Sequence, residues 1–154
     1  MRVRVVTVSD RVSKGEAEDR SGPLLVSLLA ELGEVEGPVV VPDEADRIGS
    51  EVRRAAAESV DLLVTTGGTG VSPRDVTPEA VEPLLERSLP GVADAVRSAG
   101  QVPTAVLSRG VAGIVGSTFV VTLPGSTGAV RDGAGVLVPL AAHVADQLRG
   151  GDHG

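Results

Sequence analysis

Three glycines within four residues, Gly67, Gly68 and Gly70, follow the pair Thr65-Thr66 and precede a lone carboxylate, Asp75. Glycines this close let the backbone turn sharply and present consecutive N–H groups with no side chain in the way, which suits a phosphate or carboxylate oxygen. Asp75 adds an oxygen donor that can hold a cation beside such an anion. Together they make a candidate site for a metal-bound phosphate. The plain alternative is a tight turn without a ligand, and a Gly-Gly-x-Gly alone does not choose between the two. The loop is not a Walker loop, because no Lys-Ser/Thr follows the glycines, and it is not Gly-x-Gly-x-x-Gly. One further turn has similar chemistry: Gly125-Ser126, where amides are exposed at an expected helix start. Asp43 reads as an N-cap for the helix that follows it.

The elements needed to position these residues can be read from periodicity. Residues 60–64, apolar except for Asp61, have the length and β-branching of a buried strand, and the glycine loop lies at its end. Residues 2–9 form a first strand that stops at Ser9-Asp10, and Val39 to Val41 form another that stops before Asp43. Polar residues crowd 11–21, which reads as a long charged loop, either a surface connection or a ligand lid. Ser21-Gly22-Pro23 opens a helix with Leu24, Leu25, Leu28, Leu29 and Leu32 on one face, ended by Gly33. Ile48, Val52, Ala55 and Ala56 stripe a second helix. Thr77-Pro78-Glu79 starts a third, with Thr77 as the capping hydroxyl and Val81, Leu84 and Leu85 inward. Pro90-Gly91 opens a fourth, which stops at Gly100.

Ala105 to Leu107 returns to strand character. Residues 111–115 and 118–123 are β-prone and separated by Gly116-Ser117, which predicts a hairpin. Val136, Leu137, Leu140, Val144 and Leu148 stripe a last helix, kinked or restarted at Pro139. Strands alternating with helices predict an α/β fold: a doubly wound, mostly parallel sheet flanked by helices, with one antiparallel β-hairpin. The polar turns after the strands should then collect at one edge, where open α/β sheets bind ligands.

With 154 residues the chain has room for one domain, placed over residues 1–149, with 150–154 as a frayed tail. Aromatic residues are 1% of the chain, with Phe119 alone and no Tyr or Trp, so a ring ligand must be held by aliphatic walls and backbone hydrogen bonds. There are no cysteines, which excludes disulfides, thiol catalysis and Cys-ligated metals. The net charge of −7, from 21 acidic and 14 basic residues, disfavours nonspecific binding to nucleic acid or anionic membranes. The start lacks a signal peptide's apolar core and no run is long enough to span a membrane, so a soluble cytoplasmic protein is expected. His143 and His153 suit solvated positions better than metal ligation, and Glu16, Glu18 and Asp19 read as a solvated acidic loop.

Seven short motifs then occur in register: Thr7 to Asp10, Glu18 to Gly22, Val41 to Glu44, Thr65 to Gly70, Arg74 to Glu79, Leu107 to Gly110 and Leu123 to Ser126. In this order they resemble the MoaB/Mog family of molybdenum-cofactor biosynthesis proteins over almost the whole chain. The Ser-Arg-Gly-Val-Ala-Gly and Leu-Pro-Gly-Ser-Thr-Gly stretches look more like the MoaB branch. The resemblance implies a molybdopterin adenylyltransferase, with ATP and molybdopterin as substrates and Mg²⁺ as cofactor. By the same resemblance Asp43 and Asp75 are catalytic, with Asp75 on Mg²⁺. Ser9, Asp10, Gly67, Gly68, Thr69 and Gly70 then contact nucleotide or phosphate, and Ser108, Arg109, Gly125 and Ser126 the pterin side. Arg109 keeps an equal alternative as a surface or subunit salt bridge, and Asp19, part of a family motif, can close over ligand. The resemblance also implies a homo-oligomer, trimer or hexamer, and a downstream molybdenum-insertion protein. Some MoaB-branch members are thought to bind without adenylylating, so a non-catalytic pterin- or nucleotide-binding protein is the rival reading. A scaffold module like those of the gephyrin-like fusions is a further one.

Overall fold

A computed structural model describes residues 1–151. Strand β1 (Arg2–Val8) is followed by a single-turn helix α1 (Asp10–Ser13), helix α2 (Ser21–Leu29), strand β2 (Glu34–Val41) and helix α3 (Ala45–Ala57). Strand β3 (Leu62–Thr66), short helix α4 (Thr77–Val81), two-residue strand β4 (Arg87–Ser88) and helix α5 (Pro90–Ala99) come next. The hairpin β5 (Ala112–Val115) and β6 (Thr118–Leu123) leads into the long helix α6 (Thr127–Leu148). The sheet order is β2-β1-β3-β6-β5-β4. Pairings are parallel from β2 through β6 and antiparallel from β6 through β4. The expected α/β architecture is therefore present, with the hairpin turning at Gly116, whose φ is 60°.

β1, β3 and β6 are covered on both faces, which is why they read as nearly continuous apolar runs. Val3, Val5, Leu62, Val64, Phe119, Val121 and Leu123 point to the layer formed by α2, α5 and α6. Val6, Val8, Leu63 and Val120 point to the layer of α3 and α4. The chain winds from β1 to β2 on one side and then crosses to β3 on the other, so the sheet reverses between β1 and β3. That reversal opens a crevice beyond the carboxyl ends of the strands.

Several local expectations are corrected. Ala105 to Leu107 is not a strand: residues 103–107 form a 3-10 turn with Val106 74% exposed, so with no sheet edge to join, β-propensity gives way to local bonding. The charged stretch after β1 is not all loop, because Ser9 Oγ accepts from Val12 N at 3.2 Å and starts α1. β2 is longer than Val39 to Val41, and its polar first half lies at the sheet edge. α6 does not restart at Pro139; Leu137 and Ala141 are buried on either side of it, and this packing carries the helix past the missing N–H. Gly150 and Gly151 are not loose ends: their N–H groups donate to Gln147 and Asp146 carbonyls at 2.9 Å, closing α6 with Gly150 at φ 89°. The rest of the tail, His153 included, lies outside the described residues. No helix among the described residues is long and apolar enough to cross a membrane.

Candidate functional site

A cleft of about 1020 Å³ opens at the carboxyl ends of β1, β3 and β6. Ser9, Asp43, the whole run Gly67 to Gly70, Asp75, Ser108, Gly125 and Ser126 line it. Of the residues expected to share a site, Asp10 and Arg109 do not line the cleft.

The glycine loop is fixed from three sides. Gly67 N donates to Leu123 O at 2.9 Å, and Thr66 Oγ1 donates to Pro124 O at 2.9 Å, tying the end of β3 to the end of β6. Gly67 has φ 107°, and any Cβ there would collide with the Val8 carbonyl. Gly68 has φ 72°, and a Cβ would meet Thr77 Oγ1 and stand 3.1 Å from Asp43 Oδ1. Both positions therefore require glycine. Thr77 is not the cap of α4: its hydroxyl, fully buried, donates to Gly67 O at 2.9 Å and its N–H to Gly68 O at 3.0 Å. Arg109 closes the third side. Its N–H donates to Thr69 O at 2.8 Å, Nε to Gly70 O at 2.8 Å, Nη2 to Asp75 O at 2.9 Å and Nη1 to Glu79 Oε2 at 2.7 Å. These donors are thus turned onto the loop and α4, and the contact with Glu79 is the surface salt bridge of its alternative reading.

The loop carbonyls are taken, while the N–H groups of Gly68, Thr69 and Gly70 meet no acceptor among the described residues. These amides are available for an anion. Ser108 Oγ donates to Thr69 Oγ1 at 3.1 Å, and Ser126 Oγ accepts from Ala129 N at 3.1 Å as the N-cap of α6. Both serines line the cleft with a hydroxyl already held by the protein.

Asp43 is not the cap of α3, whose N-cap is Glu44 without a side-chain bond. Its Oδ2 instead accepts from Asp10 N at 2.9 Å, at the first residue of α1, and Asp43 N donates to Asp10 Oδ1 at 2.9 Å. Asp10 is also gripped by Arg74, with Nε to Oδ2 at 2.8 Å and Nη2 to Oδ1 at 3.1 Å. The Arg74 fork holds the Asp10 carboxyl below its ordinary value, aided by its bond from Asp43 N. Burial pushes the Asp43 carboxyl up; the Asp10 N–H opposes this, and the Asp10 and Asp75 charges add to it. Asp75 Oδ2 accepts from Ser72 N at 2.9 Å. Asp19 is pinned by Thr7 Oγ1 at 2.8 Å and Gly22 N at 3.0 Å, so its carboxylate holds the start of α2 at the cleft wall. Arg74 joins the site through Asp10, and its only local signal is its place next to Asp75. Arg97 lines the cleft and donates to Gly110 O at 2.9 Å; nothing in its local pattern marks it.

An open, doubly wound α/β sheet with acceptor-free amides and carboxylates at its reversal point is a layout suited to phosphate oxygens. The chain belongs to the family described as a probable molybdopterin binding domain, whose model matches residues 4–143. It is 38% identical over 151 residues to a molybdopterin adenylyltransferase of Pyrococcus furiosus, covering 94% of this chain and 89% of that one. It is 42% identical to a molybdenum cofactor biosynthesis bifunctional protein of Synechococcus elongatus, where 97% of this chain matches 48% of the relative. The chain thus spans about half the length of such bifunctional relatives. The crystal structure of a molybdopterin biosynthesis protein from Mycobacterium abscessus superposes with a TM-score of 0.92 at 52% identity, covering 97% of this chain and 96% of that one.

Proposed function

We propose that the protein acts in molybdenum-cofactor biosynthesis by adenylylating the terminal phosphate of molybdopterin. An oxygen of that phosphate attacks the α-phosphorus of ATP, the α–β bridging bond breaks, and pyrophosphate leaves. The observation that carries this reading is the row of acceptor-free amides at Gly68, Thr69 and Gly70, set beside Asp43 and Asp75 on a loop whose carbonyls from Gly67 to Gly70 are all bonded. The names of the adenylyltransferase relatives point the same way.

Phosphoryl-group transfer asks the protein mainly for alignment and charge stabilisation. The loop amides would bind phosphate oxygens and fix the diphosphate without reorganising, since Thr77, Leu123 and Arg109 already hold the loop. Ser9, Ser108, Gly125 and Ser126 line the same cleft and would orient the remainder of the two substrates. The site also fits Mg²⁺. The described residues offer no cluster of three or more metal-ligating side chains, but Mg²⁺ is held by one or two carboxylates plus substrate phosphates. The charges of Asp10 and Asp75 both act against ionisation of Asp43, only partly offset by Arg74, and a cation would relieve this. Asp43 and Asp75 are the residues that would hold it, and Mg²⁺ would supply charge neutralisation at the phosphates.

The test is pyrophosphate release from ATP by the purified protein with Mg²⁺, with and without molybdopterin, checking the pterin for attached AMP. Molybdopterin-dependent pyrophosphate with adenylylated pterin is expected, and Asp75→Asn should lower the rate by about 10³-fold while leaving pterin binding in place. Tight pterin binding by calorimetry with no adenylylated product would instead identify a non-catalytic binding protein.

A further inference from the structure

We propose that Arg74 and Asp10 are positioning residues: their ion pair fixes the Asp43 carboxylate against the glycine loop, and neither side chain touches substrate. Three loops from three neighbouring strands meet at this point. Asp43 follows β2, Asp10 follows the middle strand β1, and Arg74 lies in the segment after β3. Asp10 grips both neighbours. Through its N–H and Oδ1 it makes a two-way lock with Asp43, both bonds at 2.9 Å, which holds the Asp43 backbone and one carboxylate oxygen together. The other oxygen, Asp43 Oδ1, is then left beside Gly68, where a Cβ would stand 3.1 Å away.

That lock sets two carboxylates side by side, and it needs a cation to hold. The Arg74 fork supplies the charge and the direction, because two parallel N–H bonds fix the Asp10 carboxylate plane in a way a single point charge cannot. Asp43 lines the cleft, whereas Asp10 and Arg74 do not, so the pair acts from behind the reacting surface. The Arg74 side chain is 63% exposed and contributes nothing to the core. Its effect on the reaction therefore runs through Asp43.

The activity arm of the test rests on the adenylylation reading; the structural arm does not. In steady-state kinetics, Arg74→Ala should lower kcat by about 10²-fold with the ATP KM within about threefold of wild type. Arg74→Lys should recover part of that kcat by restoring the charge without the fork. In ¹⁵N-edited spectra of the same proteins, the Asp10 amide proton should move upfield and exchange faster in Arg74→Ala, because its bond to Asp43 Oδ2 is released. A raised ATP KM at unchanged kcat would make Arg74 a substrate contact and overturn the proposal. So would unchanged kcat with a lowered Tm, which is a merely structural role. Should the wild type make no adenylylated pterin, the functional reading fails separately. The Asp10 amide then decides: a shift upholds the positioning lock, and an unmoved resonance overturns it.

Discussion

The glycine loop and the 101–107 segment both line the cleft, and they are held in different ways. In the loop, the carbonyls of Gly67, Gly68, Thr69, Gly70, Ser72 and Asp75 all accept hydrogen bonds from Thr77, Arg109 or Asp75. In the other segment, the backbone makes short-range bonds such as Ala105 N to Val102 O, and Val102, Val106 and Leu107 are 60%, 74% and 53% exposed. The contrast follows from what each can meet. Charge on a phosphate has to be met by donors already aimed, since dipoles that must reorient on binding contribute less. An apolar wall imposes no direction and can remain adaptable. With Phe119 fully buried and no other aromatic residue, aliphatic side chains are all this protein has for such a wall.

Substitutions can break or sharpen this contrast. The largest effect is expected at Gly67→Ala, which sets a Cβ against the Val8 carbonyl at φ 107° and should cost more than about 3 kcal/mol of stability. Urea denaturation reads this directly, and an unchanged midpoint would show that the loop is not the rigid wall. Arg109→Ala removes the clasp on Gly70 and Asp75; a loss of about 1–2 kcal/mol is expected, with weaker ATP binding by calorimetry. Arg109→Lys should not restore it, because one ammonium cannot span two carbonyls and Glu79.

Asp43→Asn tests the carboxylate face of the same wall. The folded-state value of Asp43 is raised, so ionisation above it is unfavourable to the native state: the stability cost is present at neutral pH and disappears as pH falls below the ordinary Asp range. The Asn variant should therefore melt about 1–2 °C higher than wild type at pH 7, a gain kept small by solvent screening, while adenylylation is lost. Melting curves at pH 7 and pH 3 check the sign, and the difference should close at the lower pH. The smallest effect belongs to the other wall. Val102→Ser should change the stability read by urea denaturation by less than about 0.5 kcal/mol, since this cleft-lining side chain is 60% exposed.

Much of this layout was legible in the chain. Val3, Val5, Val6 and Val8, the run through Val64, and the pair of β-prone stretches around Gly116 gave strands and hairpin because burial on both faces leaves an apolar record in the sequence. The helices opened by Pro23 and Pro90 were legible because proline marks first turns by its own covalent geometry. The glycine loop could be found because closely spaced glycines are costly unless the backbone needs them. What failed was assignment of partners. Asp43 and Thr77 both looked like caps for the helix next to them, a local choice that the sequence offers and the fold declined.

Sequence by itself determined the alternation of elements, the place of the glycine loop and the carboxylates available to it, since these follow from periodicity, propensity and residue chemistry. Only the tertiary structure decided that Asp43 locks Asp10, that Arg74 completes the pair, that Arg109 turns to the loop and that Ala105 to Leu107 stays out of the sheet. The physical reason is distance along the chain. Asp10 meets Asp43 across 33 positions and Arg74 across 64, and bonds of that span are set by which strands lie side by side, a fact that no local pattern carries.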